Sequence, residues 1–291
     1  MKVVDNPDLK KMSTLGLGGT AGQACYPASL DDLDSLSWIR PDSEKVIILG
    51  RGSNTLFREG HKELTLIIWD KAEPPQITAR QGQRFRVRVH CGQTLPSFLR
   101  WCAESGLSGL ESLAGIPGRL GGAIAMNAGS YGTEILELIQ KIRIWSPKTG
   151  IQDLGPQDIQ AGYRSFSLKN NPGHYVILEA DLILSRVTPE KVKRMIREVY
   201  LKKKSAQPVL ERTAGCVFKN PVSGESAGML LDKAGFRGRR LGGVCFSSMH
   251  ANFLVNTGKG TSTQALELIQ KAREKVRSMF GHDLQMEIRV V

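Results

Sequence analysis

Ala114-Gly115-Ile116-Pro117-Gly118-Arg119-Leu120-Gly121-Gly122-Ala123-Ile124-Ala125-Met126-Asn127-Ala128-Gly129-Ser130-Tyr131-Gly132 holds six glycines in nineteen residues and almost no large side chain. A plain loop uses one or two glycines, where φ must be positive or another backbone comes close. Six of them suit backbone packed directly against a bulky planar or pyrophosphate ligand, and a tightly packed Gly/Ala helix junction is the purely structural alternative. The run is neither the GxGxxG dinucleotide fingerprint nor a P-loop. A second glycine-rich stretch lies upstream, Leu49-Gly50-Arg51-Gly52-Ser53-Asn54-Thr55, directly after the apolar string Val46–Leu49. Successive N–H groups there can form an anion-binding nest, and Ser53, Asn54 and Thr55 add donors. Taken alone, that second stretch also fits an ordinary strand-to-loop turn.

Around these loops the chain alternates helix and strand. Leu30, Leu33 and Leu36 form a helical stripe, and Val46–Leu49 and Leu64–Trp69 read as buried strands. Arg84–Val89 alternates arginine with apolar residues at period two, which predicts a half-buried strand. Thr94 should cap a helix that turns Phe98 and Cys102 inward and ends at Gly106. Strands are expected at Lys141–Trp145, Tyr175–Leu184, Cys216–Phe218, Asn252–Val255 and Gln285–Val291. Thr188-Pro189-Glu190 starts a helix whose stripe is Val192, Met195, Ile196 and Val199, and Ser262–Phe280 is an amphipathic helix stopped by Gly281.

The 291 residues are 41% apolar and carry a net charge of +12. The positive excess reads as spread along the chain, with short clusters at Lys202–Lys204 and Arg237–Arg240, and it favours anionic small molecules. No aromatic RNA-binding signature or helix-turn-helix accompanies it, so nucleic acid is not expected as a partner. Five cysteines with no CxxC spacing point to neither a disulfide framework nor a metal site. The apolar strings are strand-sized and the N-terminus MKVVDNPDLKK lacks the apolar centre of a signal peptide, so no membrane partner and a cytoplasmic location are expected.

Six motifs in fixed order carry a resemblance. They are Ser13–Gly19, the Gly50–Thr55 loop, the Gly115–Gly132 loop, Tyr163-Arg164-Ser165-Phe166, Ala214-Gly215-Cys216-Val217-Phe218-Lys219-Asn220-Pro221 and His250–Asn256, followed by Glu287. Together they resemble the UDP-N-acetylenolpyruvoylglucosamine reductases, the MurB family. The resemblance implies an α+β protein: a split FAD-binding module of the vanillyl-alcohol-oxidase (PCMH) type, then a smaller α+β substrate-binding domain. The expected division is residues 1–70 and 71–190 for two FAD subdomains, with the PCMH-type region at about 20–188. Residues 191–291 would form the substrate domain, its last strand returning to the active site. It implies FAD as cofactor, NADPH as co-substrate and a UDP-sugar as substrate; a monomer is expected.

The family likeness also assigns roles. FAD contacts are expected from Gly50, Arg51, Gly52, Ser53, Asn54, Thr55, Gly115, Ile116, Pro117, Gly118, Gly121, Gly122, Ala123, Asn127, Ala128 and Gly129. Arg164 would bind the enolpyruvyl carboxylate and hold developing charge. Glu287 would assist, which requires a protonated carboxyl or an oriented donor. Cys216 stands where many family members have serine as proton donor, and a thiol is the stronger acid. Tyr163, Lys204 and Asn220 would contact the UDP-sugar, while His250 and Asn252 read as structural. About nine residues separate Phe166 from Tyr175, so the chain resembles the shorter type without an inserted substrate-closing loop. Another flavin oxidase or dehydrogenase of the superfamily is the alternative enzyme. A basic nucleic-acid-binding protein is the alternative of another class.

Overall fold

The computed structural model describes residues 1–40, 42–170, 172–222 and 224–291. The chain divides into two compact units: Met1–Asp5, Gln23–Gly50 and Glu63–Leu201 in the first, Asn6–Gly22, Arg51–Lys62 and Lys202–Val291 in the second. This grouping is not the linear one at residues 70 and 190. The helix Pro189–Ala206 runs past the expected boundary, and two short N-terminal segments join the C-terminal unit.

In the first unit, residues 2–5 pair antiparallel with residues 23–26, and Val46–Ile48 runs parallel to residues 65–67. Cys25, Leu33, Leu36, Val46, Trp69 and Trp145 bury together beside them. Leu33 and Leu36 keep the helical stripe read from sequence, whereas Leu30 is exposed. A larger antiparallel sheet is ordered Gly150–Leu154, Ile139–Ser146, Val176–Arg186, Arg84–His90, Gln76–Gln81, with Leu107–Ser108 added on Val176–Arg186. Arg84–His90 alternates as expected, turning Phe85, Val87 and Val89 into a core shared with the helix Leu95–Ser105. Thr94 Oγ1 accepts the Ser97 N–H at the start of that helix, and Gly106 ends it in the left-handed region at φ +62°.

In the second unit, Thr213–Cys216, Phe253–Asn256, Val244–Phe246 and Arg240–Leu241 form an antiparallel sheet. The helix Ser262–Phe280 buries Ala265, Leu268, Ile269, Ala272 and Val276 against it. Leu15, Leu17 and Leu56 enter the same core, which is why their segments belong to this unit. The final strand is shorter than the expected Gln285–Val291: Arg289–Val290 pairs parallel with Thr55–Leu56, and Met286 makes an isolated bridge to Phe218. The charge, read from sequence as spread along the chain, is concentrated in one unit. The first unit has 20 Lys and Arg against 19 Asp and Glu, the second 20 against 9, so +11 of the chain's +12 belongs to the second unit.

Candidate functional site

The two units divide the candidate residues. Gly50, the Gly115–Gly129 positions, Tyr163 and Arg164 belong to the first; Arg51–Thr55, Lys204, Cys216, Asn220 and Glu287 belong to the second.

In the first unit the six glycines of the long loop fall into three groups. Gly115, Gly118 and Gly132 take φ of +83°, +135° and +81°, so their glycine is conformational. Gly121 and Gly129 are required by packing: a β-carbon would come within 3.3 Å of Cys91 and 2.8 Å of the Thr133 carbonyl. Gly122 has neither reason. It has ordinary helical φ in Leu120–Ala125, and a β-carbon there would meet nothing within 4 Å. Gly50 is similar, since its β-carbon would meet only the Cα of Gly122, at 3.9 Å. Two neighbouring glycines therefore present bare backbone to open space. A bound planar or pyrophosphate group explains that choice and packing does not, so these residues fit a flavin nucleotide. Ile116 is half-buried and Pro117 exposed, while Ala123 and Ala128 are buried.

Asn127 has a different place from the expected one. It is 1% exposed at φ +41°, and its carboxamide is fully engaged with protein. Nδ2 donates to Glu134 Oε2 at 2.5 Å and to the Gly162 carbonyl at 3.0 Å, while Oδ1 accepts the Leu136 N–H at 3.3 Å. Its side chain thus ties three protein segments together. Gly162 ends the strand Ile159–Gly162, which pairs with Ser165–Leu168 through the two-residue turn Tyr163-Arg164. Such turns favour Asn-Gly, yet here Arg164 itself occupies the left-handed region at φ +52°. That conformation costs an arginine roughly 1–2 kcal/mol. The turn is held because Arg164 Nη2 donates to the Gly129 carbonyl at 2.7 Å, with its guanidinium 5.2 Å from the Tyr163 ring centroid. Tyr163 itself is 48% exposed.

The second unit brings three distant motifs together. Asn54 Nδ2 donates to the Glu287 carbonyl at 3.0 Å, and the Asn54 carbonyl accepts the Arg289 N–H at 2.9 Å. The Glu287 N–H donates to the Val217 carbonyl at 2.8 Å, so Glu287 lies beside the residue that follows Cys216. Asn252 is buried and fixes this strand: its side chain accepts the Phe218 N–H and donates to the Phe218 carbonyl. His250 is packed edge-on against Phe253 with ring centroids 4.9 Å apart, and burial lowers its pKa, helped by Arg237. Both therefore serve the structure. Gly52, at φ +62°, leaves no room for a β-carbon beside the Met12 carbonyl, which docks the Ser13–Gly19 motif onto the loop. Arg51 is exposed, Ser53 half-buried and Thr55 buried.

Cys216 and Glu287 are both half-buried. The other thiols are poor acids: burial raises the pKa of Cys25, Cys91, Cys102 and Cys245, with Cys91 and Cys102 deepest. Asn220 is exposed and its Oδ1 accepts the Ala227 N–H. Lys204 is exposed as well, whereas its neighbour Lys203 is 3% exposed. Lys203 extends the 192–196–199 stripe by one further step of four, a signal present in the sequence.

The chain is similar to known proteins over its whole length. Residues 22–155 match the FAD binding domain model, and residues 207–291 match the C-terminal domain of UDP-N-acetylenolpyruvoylglucosamine reductase. A UDP-N-acetylenolpyruvoylglucosamine reductase of Nitratidesulfovibrio vulgaris is 43% identical over 292 residues, covering 100% of this chain and 99% of that protein. One from Oleidesulfovibrio alaskensis is 44% identical, covering 99% and 97%. The crystal structure of the UDP-N-acetylenolpyruvylglucosamine reductase from Thermus caldophilus superposes with a TM-score of 0.82 at 29% identity, covering 100% of this chain and 99% of that one.

Proposed function

The chain belongs to the UDP-N-acetylenolpyruvoylglucosamine reductase family, and on that premise we propose that it reduces the enolpyruvyl ether of UDP-N-acetylglucosamine to the lactyl ether of UDP-N-acetylmuramate. The reaction is a step of peptidoglycan precursor synthesis, with FAD as the bound cofactor, NADPH as the electron source and the cytoplasm as its location. The observation that carries this reading is the convergence in the second unit. Asn54 from a glycine-rich loop, the strand containing Cys216 and the segment containing Glu287 are joined by direct hydrogen bonds although far apart in sequence.

Within the first unit, Gly50 and Gly122 are residues that would hold FAD, which when bound supplies a hydride to the terminal enolpyruvyl carbon. The remaining work falls to side chains. The double bond gains that hydride at one carbon and a proton at the other, and negative charge collects on the carboxylate meanwhile. Arg164 presents a planar fork to the carboxylate and stabilises that charge. Cys216 Sγ–H donates the proton to the carbon bearing the ether oxygen. Glu287 assists in its protonated form or by orienting a donor. Tyr163, Lys204 and Asn220 contact the sugar nucleotide, and the +11 charge of the second unit raises the local concentration of such polyanions.

An anaerobic two-step titration tests the assignment. NADPH should bleach the flavin absorbance and UDP-N-acetylglucosamine enolpyruvate should restore it. A flavin that stays reduced on adding the enolpyruvyl sugar refutes the substrate.

A further inference from the structure

We propose that Asn127 and Asn54 are positioning residues that fasten the two glycine-rich loops to Arg164 and Glu287, so that each loop sets the place of a catalytic group as well as of the cofactor. The inference rests on the function proposed above for Arg164 and Glu287.

Each loop carries one asparagine, and the two are used alike. Asn127 has two N–H bonds and both are engaged, one by Glu134 and one by the Gly162 carbonyl. Gly162 directly precedes the Tyr163-Arg164 turn. From the far side of that turn Arg164 Nη2 returns to the Gly129 carbonyl, two residues beyond Asn127. The hydrogen bonds thus close a ring through residues 127–129 and 162–164. That ring holds Arg164 in a left-handed conformation that its residue type disfavours. Asn54 makes a two-point clamp in the other unit: its side chain holds the Glu287 carbonyl and its own carbonyl holds the Arg289 N–H, bracketing Ile288. Ile288 is buried in the core, so the clamp fixes the segment from both sides. A catalytic group misplaced by about 1 Å loses on the order of 100-fold in rate, which gives these clamps a measurable task.

The test is a stopped-flow comparison of the two half-reactions in Asn127→Gly and Asn54→Ala, with FAD affinity measured on each. Glycine accepts the +41° φ of Asn127, so that variant removes the carboxamide and keeps the backbone. Flavin reoxidation by the enolpyruvyl sugar is expected to slow roughly 10–100-fold, out of proportion to any change in flavin reduction by NADPH or in the FAD dissociation constant. A parallel loss of FAD affinity and of both half-reactions would instead make the asparagines cofactor ligands or general scaffold and overturn the proposal. Unchanged reoxidation would overturn it too. Should the truncations fail to fold, Asn127→Asp and Asn54→Asp decide: they keep the shape and turn the donor into an acceptor facing another oxygen. Wild-type protein in the same experiment separates two failures. If its own flavin is not reoxidised by the enolpyruvyl sugar, the assigned reaction is wrong and the catalytic positioning falls with it. If wild-type reoxidises and the variants match it, only the positioning is wrong.

Discussion

Replacing Gly122 by alanine should stabilise the protein without cofactor and weaken its hold on FAD. Gly122 lies inside the helix Leu120–Ala125, has ordinary helical φ, and a β-carbon on it meets nothing within 4 Å. Glycine inside a helix costs about 1 kcal/mol relative to alanine, and a helix this short should return about half of that. A gain near 0.5 kcal/mol raises the apoprotein melting temperature by about 1–2 °C. If the bare backbone of Gly50 and Gly122 faces the cofactor, the same methyl intrudes on it. Overpacking of one methyl costs about 1–3 kcal/mol, or about 5–150-fold in the FAD dissociation constant. Thermal denaturation of the apoprotein and titration by flavin fluorescence read the two effects separately. Gly129→Ala is the control: its β-carbon would lie 2.8 Å from the Thr133 carbonyl, so stability should fall outright. The reasoning fails if Gly122→Ala destabilises the apoprotein, or if FAD binds it as tightly as before.

Three further outcomes follow from other parts of the molecule. Iodoacetamide should label the half-buried Cys216 and Cys245 ahead of the buried Cys25, Cys91 and Cys102, and block flavin reoxidation but not reduction by NADPH; Cys216→Ser should keep its turnover in the reagent, and full turnover after complete labelling of Cys216 contradicts its role. Burial raises the Glu59 pKa, but hydrogen bonds from Ser262 and Thr263 outweigh it and hold the carboxyl below its usual value. The stability it adds is present above pH ~4.3 and lost as pH falls further. Glu59→Gln should therefore cost about 1–2 kcal/mol in denaturant at pH 7, with the gap closing toward pH 3; an equal gap at both pH values refutes it. Burial pushes the Tyr175 phenol up to about 12, so its contribution is complete below pH ~10 and lost as pH rises through 12; absorbance at 295 nm should show a phenolate forming near pH 12 that Tyr175→Phe removes, beside the raised Tyr26.

Local chemistry made much of the fold legible. Ser262–Phe280 carries a capping threonine, an apolar stripe and a terminal glycine, and the helix runs over just those residues. Arg84–His90 announces its buried face by alternation. The division into units was not legible, because it depends on contacts between segments remote in sequence. Leu15, Leu17 and Leu56 read only as apolar residues until they are seen in one core with Phe218, Leu254 and Leu268. Charge was partly legible: residues 202–291 alone carry +8 of the chain's +12, and the grouping with Asn6–Gly22 and Arg51–Lys62 raises this to +11.

The site was legible as residue types and not as tasks. An asparagine in a glycine-rich loop suits a cofactor contact and a backbone strut equally well by composition. What separates the two is where its donors go, and at Asn54 and Asn127 they go to the Glu287 and Gly162 carbonyls. Six glycines in the loop suggested backbone packed against a ligand, with five of them as expected FAD contacts. Three of them serve turns, two serve packing, and Gly122 alone of the six stays bare for want of any demand from the protein. Glycine content therefore measures backbone constraint, and a ligand is indicated where a glycine has no constraint to satisfy. By that criterion Gly50 and Gly122 are the glycines of the two loops whose choice the protein itself does not explain.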